Sequence, residues 1–289
     1  LARLLSSSPG DAERERAAEL IAAAESGRHD LHGLWFATSP AGLEDVVWWM
    51  PQPDDVALVW LAADMRSLEG RTGLLARVCE DMDARAVPLS QVLIERRADP
   101  TVGPLEATGY VHGATLAFWG RTVEPVEFAG VDVPPGIGFE PAKNEGLFAE
   151  TLGQTYIDSL DIPDFTPHRT PQQALACHRA ADGARPELWN VYRSGAETVG
   201  ILLLADHSDH DAIELQYFGI VPKHRGQGWG RRLLLAALKT AADLGRSSVF
   251  LAADITNHFA IDGYTRMGFS ELSRREVWWR RGDVVKRQH

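Results

Sequence analysis

The chain has 289 residues, 45% of them hydrophobic and 24% charged, which suits two domains with buried cores and excludes a disordered polymer. Against 40 Asp and Glu stand 29 Lys and Arg, a formal charge of −11 that argues against a general nucleic-acid or anionic-membrane binder. Two cysteines suggest reduced thiols in a cytoplasmic protein, no apolar run approaches the ~20 residues of a membrane span, and a start at Leu1 leaves the completeness of the N-terminus open.

In chain order, residues 11–25 read as a helix, and 34–38, 45–50 and 56–62 as strands. A helix is expected at about 70–83, then a strand at 89–95 and a strand-like 115–119. Pro125, Gly130, Pro134, Pro135, Gly136 and Gly138 then interrupt every period, so the boundary between a first domain, 1–130, and a second, 131–289, is expected here. Within this break 123–133 is expected as an edge strand, where proline is tolerated. Beyond it, 137–140 reads as a strand, and Phe148, Leu152 and Tyr156 mark one face of a helix. Thr170-Pro171-Gln172-Gln173 has the chemistry of a helix start: a Thr cap, Pro at the first position, and Gln three residues after the cap. Strands at 189–192, 199–205 and 213–221 follow, then a helix at 230–244, a strand at 248–252, a short helix at 260–267 and a strand at 274–280. Strands alternating with helices in both halves mean an α/β or α+β fold.

The halves resemble each other. Leu105-Glu106-Ala107-Thr108-Gly109-Tyr110 lies 159 positions before Tyr264-Thr265-Arg266-Met267-Gly268-Phe269, and the same offset sets Arg66 on Arg225 and Leu74-Leu75 on Leu233-Leu234. Duplication of one fold accounts for this spacing.

The segment richest in chemistry is Val221-Pro222-Lys223-His224-Arg225-Gly226-Gln227-Gly228-Trp229-Gly230-Arg231-Arg232. Glycines between a strand and a helix let backbone N–H groups approach a ligand, and the positive end of the helix dipole suits a pyrophosphate. The bland alternative is a Gly-rich turn with solvated arginines. A Walker loop is excluded because Gly-Lys-Ser/Thr is missing, and a Rossmann turn fits poorly because no βα repeats follow.

Arg225-Gly226-Gln227-Gly228-Trp229-Gly230 resembles the Arg/Gln-x-x-Gly-x-Gly/Ala motif of the GNAT N-acetyltransferase superfamily, and Asn257-His258-Phe259-Ala260 with Tyr264…Gly268-Phe269 resembles that family's later Asn-x-x-Ala…Tyr-x-x-x-Gly-Phe segment. The full resemblance covers about 137–280 and implies a tandem GNAT architecture of the mycothiol-synthase type, with two mixed central sheets flanked by helices. It implies acetyl-CoA as the acyl donor, no metal, and a small-molecule amine as acceptor. The backbone of Gly219, Ile220 and Val221 would pair with pantetheine and the thioester carbonyl, and residues 225–231, Arg225 to Arg231, would grip the pyrophosphate. Asn257 would bond the CoA arm beside Ala260, with a helix cap as its ordinary alternative. Tyr264 would be the acid that protonates the leaving thiolate, and Glu214 the base that takes the amine proton. Glu214 lies six residues before Ile220, on the same side of a regular strand, although a bulge would reverse that parity.

The first half departs from this pattern. Arg66-Ser67-Leu68-Glu69-Gly70-Arg71 replaces the Gly turn and Leu105 replaces Tyr264, so the half is read as degenerate. Its Trp48, Trp49 and Trp60 are expected in packing. Tyr156, Asp158 and Asp161, in a segment with Asp164, His168 and Arg169, are candidates for binding the acceptor amine, against the alternative of an ordinary acidic loop. His207 and His210 read as a polar hairpin. The implied activity is acetyl transfer to an amine by direct attack on the thioester. The rival readings are a non-catalytic acyl-CoA-binding or sensing protein and a tandem transferase with another donor, such as aminoacyl-tRNA.

Overall fold

The alternation of apolar runs and turn residues resolves into two passes through one order of elements. The computed structural model describes residues 2–5, 11–26, 30–53, 55–95, 99–161 and 170–283. Helices α1 (Ala2–Leu5) and α2 (Asp11–Glu25) precede β1 (Leu34–Ser39), β2 (Gly42–Pro51), β3 (Val56–Leu61), α3 (Leu68–Ala84), β4 (Leu89–Ile94), α4 (Val102–Ala107) and β5 (Val111–Thr122). Then come β6 (Gly136–Gly138), α5 (Pro141–Tyr156), α6 (Pro171–Ala180), β7 (Asn190–Ser194), β8 (Glu197–His207), β9 (Ala212–Ile220), α7 (Trp229–Asp243), β10 (Ser248–Asp254), α8 (His258–Arg266) and β11 (Ser270–Arg281). The run β1–β5 repeats as β7–β11, and β5 and β11 coincide end to end under the offset of 159 seen in the sequence.

One local expectation is corrected and one element is added. The edge strand at 123–133 does not form: Pro125–Phe128 is a single 3₁₀ turn, and only the three residues of β6 pair afterwards. Prolines 125, 134 and 135 supply no ladder donors there. Helix α4, which the sequence pattern left unassigned, is one short turn capped by loop backbone.

The chain divides into two compact units, Leu1–Gly113 with Arg275–His289, and Ala114–Arg274. The boundary expected near 130 is therefore displaced. Strand β5 pairs antiparallel with β10, from Ser248↔Thr122 to Asp254↔Leu116, and so lies in the second unit. The end of β11 pairs antiparallel with β4, from Glu276↔Ile94 to Arg281↔Leu89, and so lies in the first. Each repeat thus gives its last strand to the unit of the other. Strand pairing follows the order β1-β2-β3-β4-β11 in the first unit and β5-β10-β9-β8-β7-β6 in the second, and the exchanged last strands correct the expectation of two central sheets built one from each half of the chain.

In the first unit β1, β2 and β3 are antiparallel, and β3 runs parallel to β4 across α3. Val47, Trp49, Leu75, Val78, Val92, Leu105 and Tyr110 form its core. Trp48 and Trp49 are buried as expected, whereas Trp60 is 39% exposed. In the second unit β8 separates two cores by alternation: Leu202 and Leu204 face α7, and Ile201 and Leu203 face α5 and α6. Helix α6 starts with the capping box read from Thr170 and Gln173. Among the described residues no helix is long and apolar enough to cross a membrane.

Candidate active site

The site is built where two parallel strands of the second unit part. β9 and β10 pair only from Ala212↔Ser248 to Glu214↔Phe250. Beyond that, Leu215–Ile220 stays paired to β8 and Leu251–Asp254 to β5, so the facing edges of β9 and β10 are open to each other. The corresponding pair in the first unit, β3 and β4, stays in register to Val59↔Val92, near the end of both strands.

At the end of β9 the chain turns through Val221 into α7. Gly226 and Gly228 have φ of +72° and +80°, and a Cβ on either would meet nothing within 4 Å. Left-handed backbone favours glycine, and here the space above it is empty of protein. Among the described residues the N–H groups of Gly226, Gln227, Gly228, Trp229, Gly230 and Arg231 donate to no backbone acceptor; the ladder of α7 begins with Arg232 N–H on the Gly228 carbonyl at 3.3 Å. Such a row of open donors at a helix N-terminus is an anion cradle. Trp229 is buried and anchors the turn, with the Arg232 guanidinium 4.8 Å from its ring centroid.

Arg225 departs from its expected place on the phosphates. Its guanidinium donates to the carbonyl oxygens of Ile220 at 3.0 Å, Thr155 at 3.0 Å, Ile157 at 2.7 Å and Asp158 at 3.1 Å. It therefore caps the C-terminal end of α5, where carbonyls lack helical partners and a cation is favoured, and ties α5 to the turn. Gly219 is held by the same junction: a Cβ there would lie 2.6 Å from Thr155 Cβ and 2.7 Å from the Tyr217 hydroxyl.

Tyr264 is buried on α8, its ring packed by Phe269 at 5.9 Å, Phe218 at 6.1 Å and Trp119 at 6.3 Å between centroids. Burial pushes its phenol pKa well up, and the Asp161 carboxylate and Tyr217 push it further. Tyr217 exchanges a hydrogen bond of 2.8 Å with the Thr155 hydroxyl and packs edge-on against Tyr156 at 5.5 Å. Asp161 accepts the N–H of Asp254 at 2.9 Å, at the open end of β10. Of the predicted acceptor residues, Asp161 and Tyr156 thus converge on Tyr264 and Tyr217. Asp158 instead stands at φ +54°, exposed, and gives its carbonyl to Arg225. Asp164, His168 and Arg169 lie outside the described residues.

Glu214 stands at the point where β9 and β10 part. Its carboxylate accepts from His207 Nε2 at 3.0 Å, and the His207 ring lies between Phe250, 5.5 Å away, and Gly183. His207 and His210 lie in the polar hairpin expected of them, at the turn from β8 to β9, and His207 pairs with Glu214 besides. The register of β8 and β9 slips between Leu203↔Tyr217 and Leu204↔Leu215, which makes Gln216 the extra residue of a bulge. Leu215 joins the core under α7, whereas Tyr217 packs with the core under α5. The parity argument linking Glu214 to Ile220 is thereby reversed. No hydrogen bond joins Glu214 to Tyr264 among the described residues. Asn257 occupies the N-cap of α8, its side chain accepting from Ala260 N–H at 3.3 Å.

The first unit closes the equivalent helix start. Ser67 caps α3, accepting the Gly70 N–H at 2.8 Å, and Arg71 is buried in an ion pair with Asp45. Leu105, the counterpart of Tyr264, is fully buried core. His207, Gln216, Tyr217 and Asp254 were not singled out from sequence as site residues. The signal for Gln216 was its alternation with Glu214 in an otherwise apolar strand.

Residues 154–269 match the model of the acetyltransferase (GNAT) family. The mycothiol acetyltransferases of Pseudarthrobacter chlorophenolicus and Arthrobacter sp. (strain FB24) are each 26% identical over 174 residues, covering 49% of this chain and 54% of the relative. The chain thus matches about half the length of these curated relatives. In fold it is similar to a GCN5-related N-acetyltransferase from Sphaerobacter thermophilus, with a TM-score of 0.61, 18% identity, and coverage of 92% of this chain and 91% of that one. It is similar also to a tandem GNAT protein from the clavulanic acid biosynthesis pathway, with a TM-score of 0.53, 14% identity, and coverage of 88% and 85%. With its parted strands, open helix start and buried tyrosine, the segment 154–269 is thus the part of the chain that is similar to the GNAT acetyltransferase family.

Proposed function

We propose that this chain is an acetyl-CoA-dependent N-acetyltransferase that acts on the primary amine of a small molecule in the cytoplasm, with its second unit catalytic and its first unit degenerate. One observation carries the reading: a row of unpaired N–H groups at the start of α7 adjoins strands that part beside a buried tyrosine. The residues fit acetyl-CoA, because Gly226 and Gly228 leave free the space a side chain would fill. Bound acetyl-CoA would supply an activated acetyl thioester.

The roles of the chain's own groups follow from their chemistry. The N–H groups of residues 226–231 bind the pyrophosphate, and the open backbone edge at Gly219, Ile220 and Val221 orients the pantetheine arm. Arg225 fixes the turn against α5. Tyr264 Oη holds a proton for the leaving sulfur, and its raised pKa keeps that proton in place across the working pH range. Asp161 attracts the ammonium form of the acceptor, and Glu214, held in place by the His207 Nε2–H, takes a proton from it.

The test is release of free thiol from acetyl-CoA with a panel of primary amines. Tyr264→Phe removes one hydroxyl from a packed ring, so turnover is expected to fall about 10²–10⁴-fold while CoA affinity stays unchanged. Turnover at the parent rate would remove Tyr264 from the chemistry. CoA binding without thiol release from any amine would favour the non-catalytic binding protein.

A further inference from the structure

Gln216 is left with a hydrogen-bonding group that the fold does not use. Both polar atoms of its carboxamide, Nε2 and Oε1, are shielded from solvent, and neither has a protein partner among the described residues. Gln216 thus leaves both a donor and an acceptor unused, among the described residues. Native folds seldom tolerate this, because an amide taken from water without partners loses its hydrogen bonds outright. Orphaned groups of this kind are understandable where a ligand completes them.

Its position says which ligand. Gln216 is the extra residue of the bulge in β9, just past the last β9–β10 pair at Glu214 and next to Tyr217. Its neighbours in the strand are the groups placed on the acceptor side: Glu214 with His207, and Tyr217 with Tyr156 and Thr155. The backbone edge suited to pantetheine comes later, at 219–221. The two ionic tasks of an amine acceptor are covered by Asp161 and Glu214. What a neutral carboxamide adds is recognition of a neutral group that both accepts and donates.

We propose that Gln216 is a specificity residue: its carboxamide reads a neutral amide or hydroxyl group carried by the acceptor a few bonds from the reacting amine. This deepens, and rests on, the reading as an amine acetyltransferase. A site built to hydrogen-bond a substrate group rejects analogues lacking it far more strongly than an apolar pocket rejects a missing methylene.

The experiment compares unbranched primary amines with partners of matched length that end in a carboxamide, using thiol release from acetyl-CoA. The native protein is expected to favour the carboxamide partner in kcat/KM by at least about tenfold at one chain length. In Gln216→Met, and in Gln216→Leu as a second apolar variant, that ratio should fall to within about twofold of one. Rates on the plain amines, CoA affinity and the thermal midpoint should hold, since an unpaired polar group has been replaced by an apolar one. A native ratio near one at every length, or a ratio that survives both substitutions, overturns the proposal and leaves the transferase reading standing. So does an equal loss on every amine with a lowered midpoint, which would make Gln216 a packing residue. Thiol release from no amine overturns the transferase reading and this proposal with it.

Discussion

Gly228→Val separates the strain of a turn from its use as an anion cradle. Gly228 sits at φ +80° and ψ 2° as the N-cap of α7, and a Cβ there would touch no protein atom within 4 Å. The cost to folding is thus confined to the backbone, roughly 1–2 kcal/mol for an L side chain in the left-handed region. Gly130 supplies the control, with φ +72°, exposure, and the same empty surroundings. Gly130→Val should show a similar fall in thermal midpoint, about 2–8 °C for a unit of this size. Bound CoA distinguishes the two. A valine at 228 stands in front of open N–H donors, and losing one charge-assisted bond to phosphate costs about 1.5–3 kcal/mol, or about 10- to 150-fold in Kd. Calorimetric titration of CoA into each folded variant measures this directly. Equal affinity in the native protein and Gly228→Val would refute the placement of the pyrophosphate. An equal loss in both variants would mean that general strain, not the cradle, weakens binding.

Glu214→Gln keeps the size of the side chain but removes its basicity, so turnover should drop most at pH values where the acceptor amine is protonated and partly recover as pH rises; a loss uniform across the pH–rate profile would assign Glu214 to positioning instead. Stability should decline in alkali, because burial raises the Cys79 thiol from 9.0 to about 11 and the Tyr192 phenol from 10.0 to about 12. The unfolded chain loses these protons first, so the stabilisation is intact below pH ~9 and is lost as pH climbs toward 11 and 12, at up to about 1.4 kcal/mol per pH unit for each group. Urea midpoints that stay level from pH 8 to pH 11 would contradict this.

Local chemistry made much of this molecule legible in its sequence. The capping box at Thr170 needs only the spacing of Thr and Gln, and the turn at 226–230 needs only glycines between a strand and a helix. What escaped depends on contacts far apart in the chain. Nothing in residues 111–122 or 270–281 reveals that each strand serves the other repeat's unit, because both have the same length and related sequence, and either could pair in either place. The bulge at Gln216 is equally silent: its sequence continues an apolar strand, and only the ladder to β8 exposes the slip that reverses parity after Glu214. Arg225 was misplaced for a related reason. An arginine beside a phosphate-type turn looks like a phosphate ligand until the end of α5, some 70 residues earlier in the chain, is found against it.

The two repeats solve one physical problem, the unpaired N–H groups at a helix start, in opposite ways, and Ser67 is where they can be compared. In α3 the Ser67 hydroxyl accepts the Gly70 N–H at 2.8 Å, Glu69 adds a carboxylate to the first turn, and Arg71 is buried against Asp45. The positive end of that helix is satisfied from within. In α7 the cap is Gly228, whose side chain can accept nothing, and the first turn carries no acid. The first unit takes its stability at the place where the second leaves its donors open, among the described residues. Ser67→Ala should therefore destabilise the protein by about 1 kcal/mol, the usual worth of such a cap. Calorimetry should find one CoA per chain before and after this change, because Glu69 still opposes a phosphate and β3 stays paired to β4 almost to its end. A Ser67→Ala protein that keeps its full midpoint would show the cap to be idle. If it bound a second CoA, the hydroxyl alone would have been closing a working site, and the first unit would be an occluded transferase half, not a degenerate one.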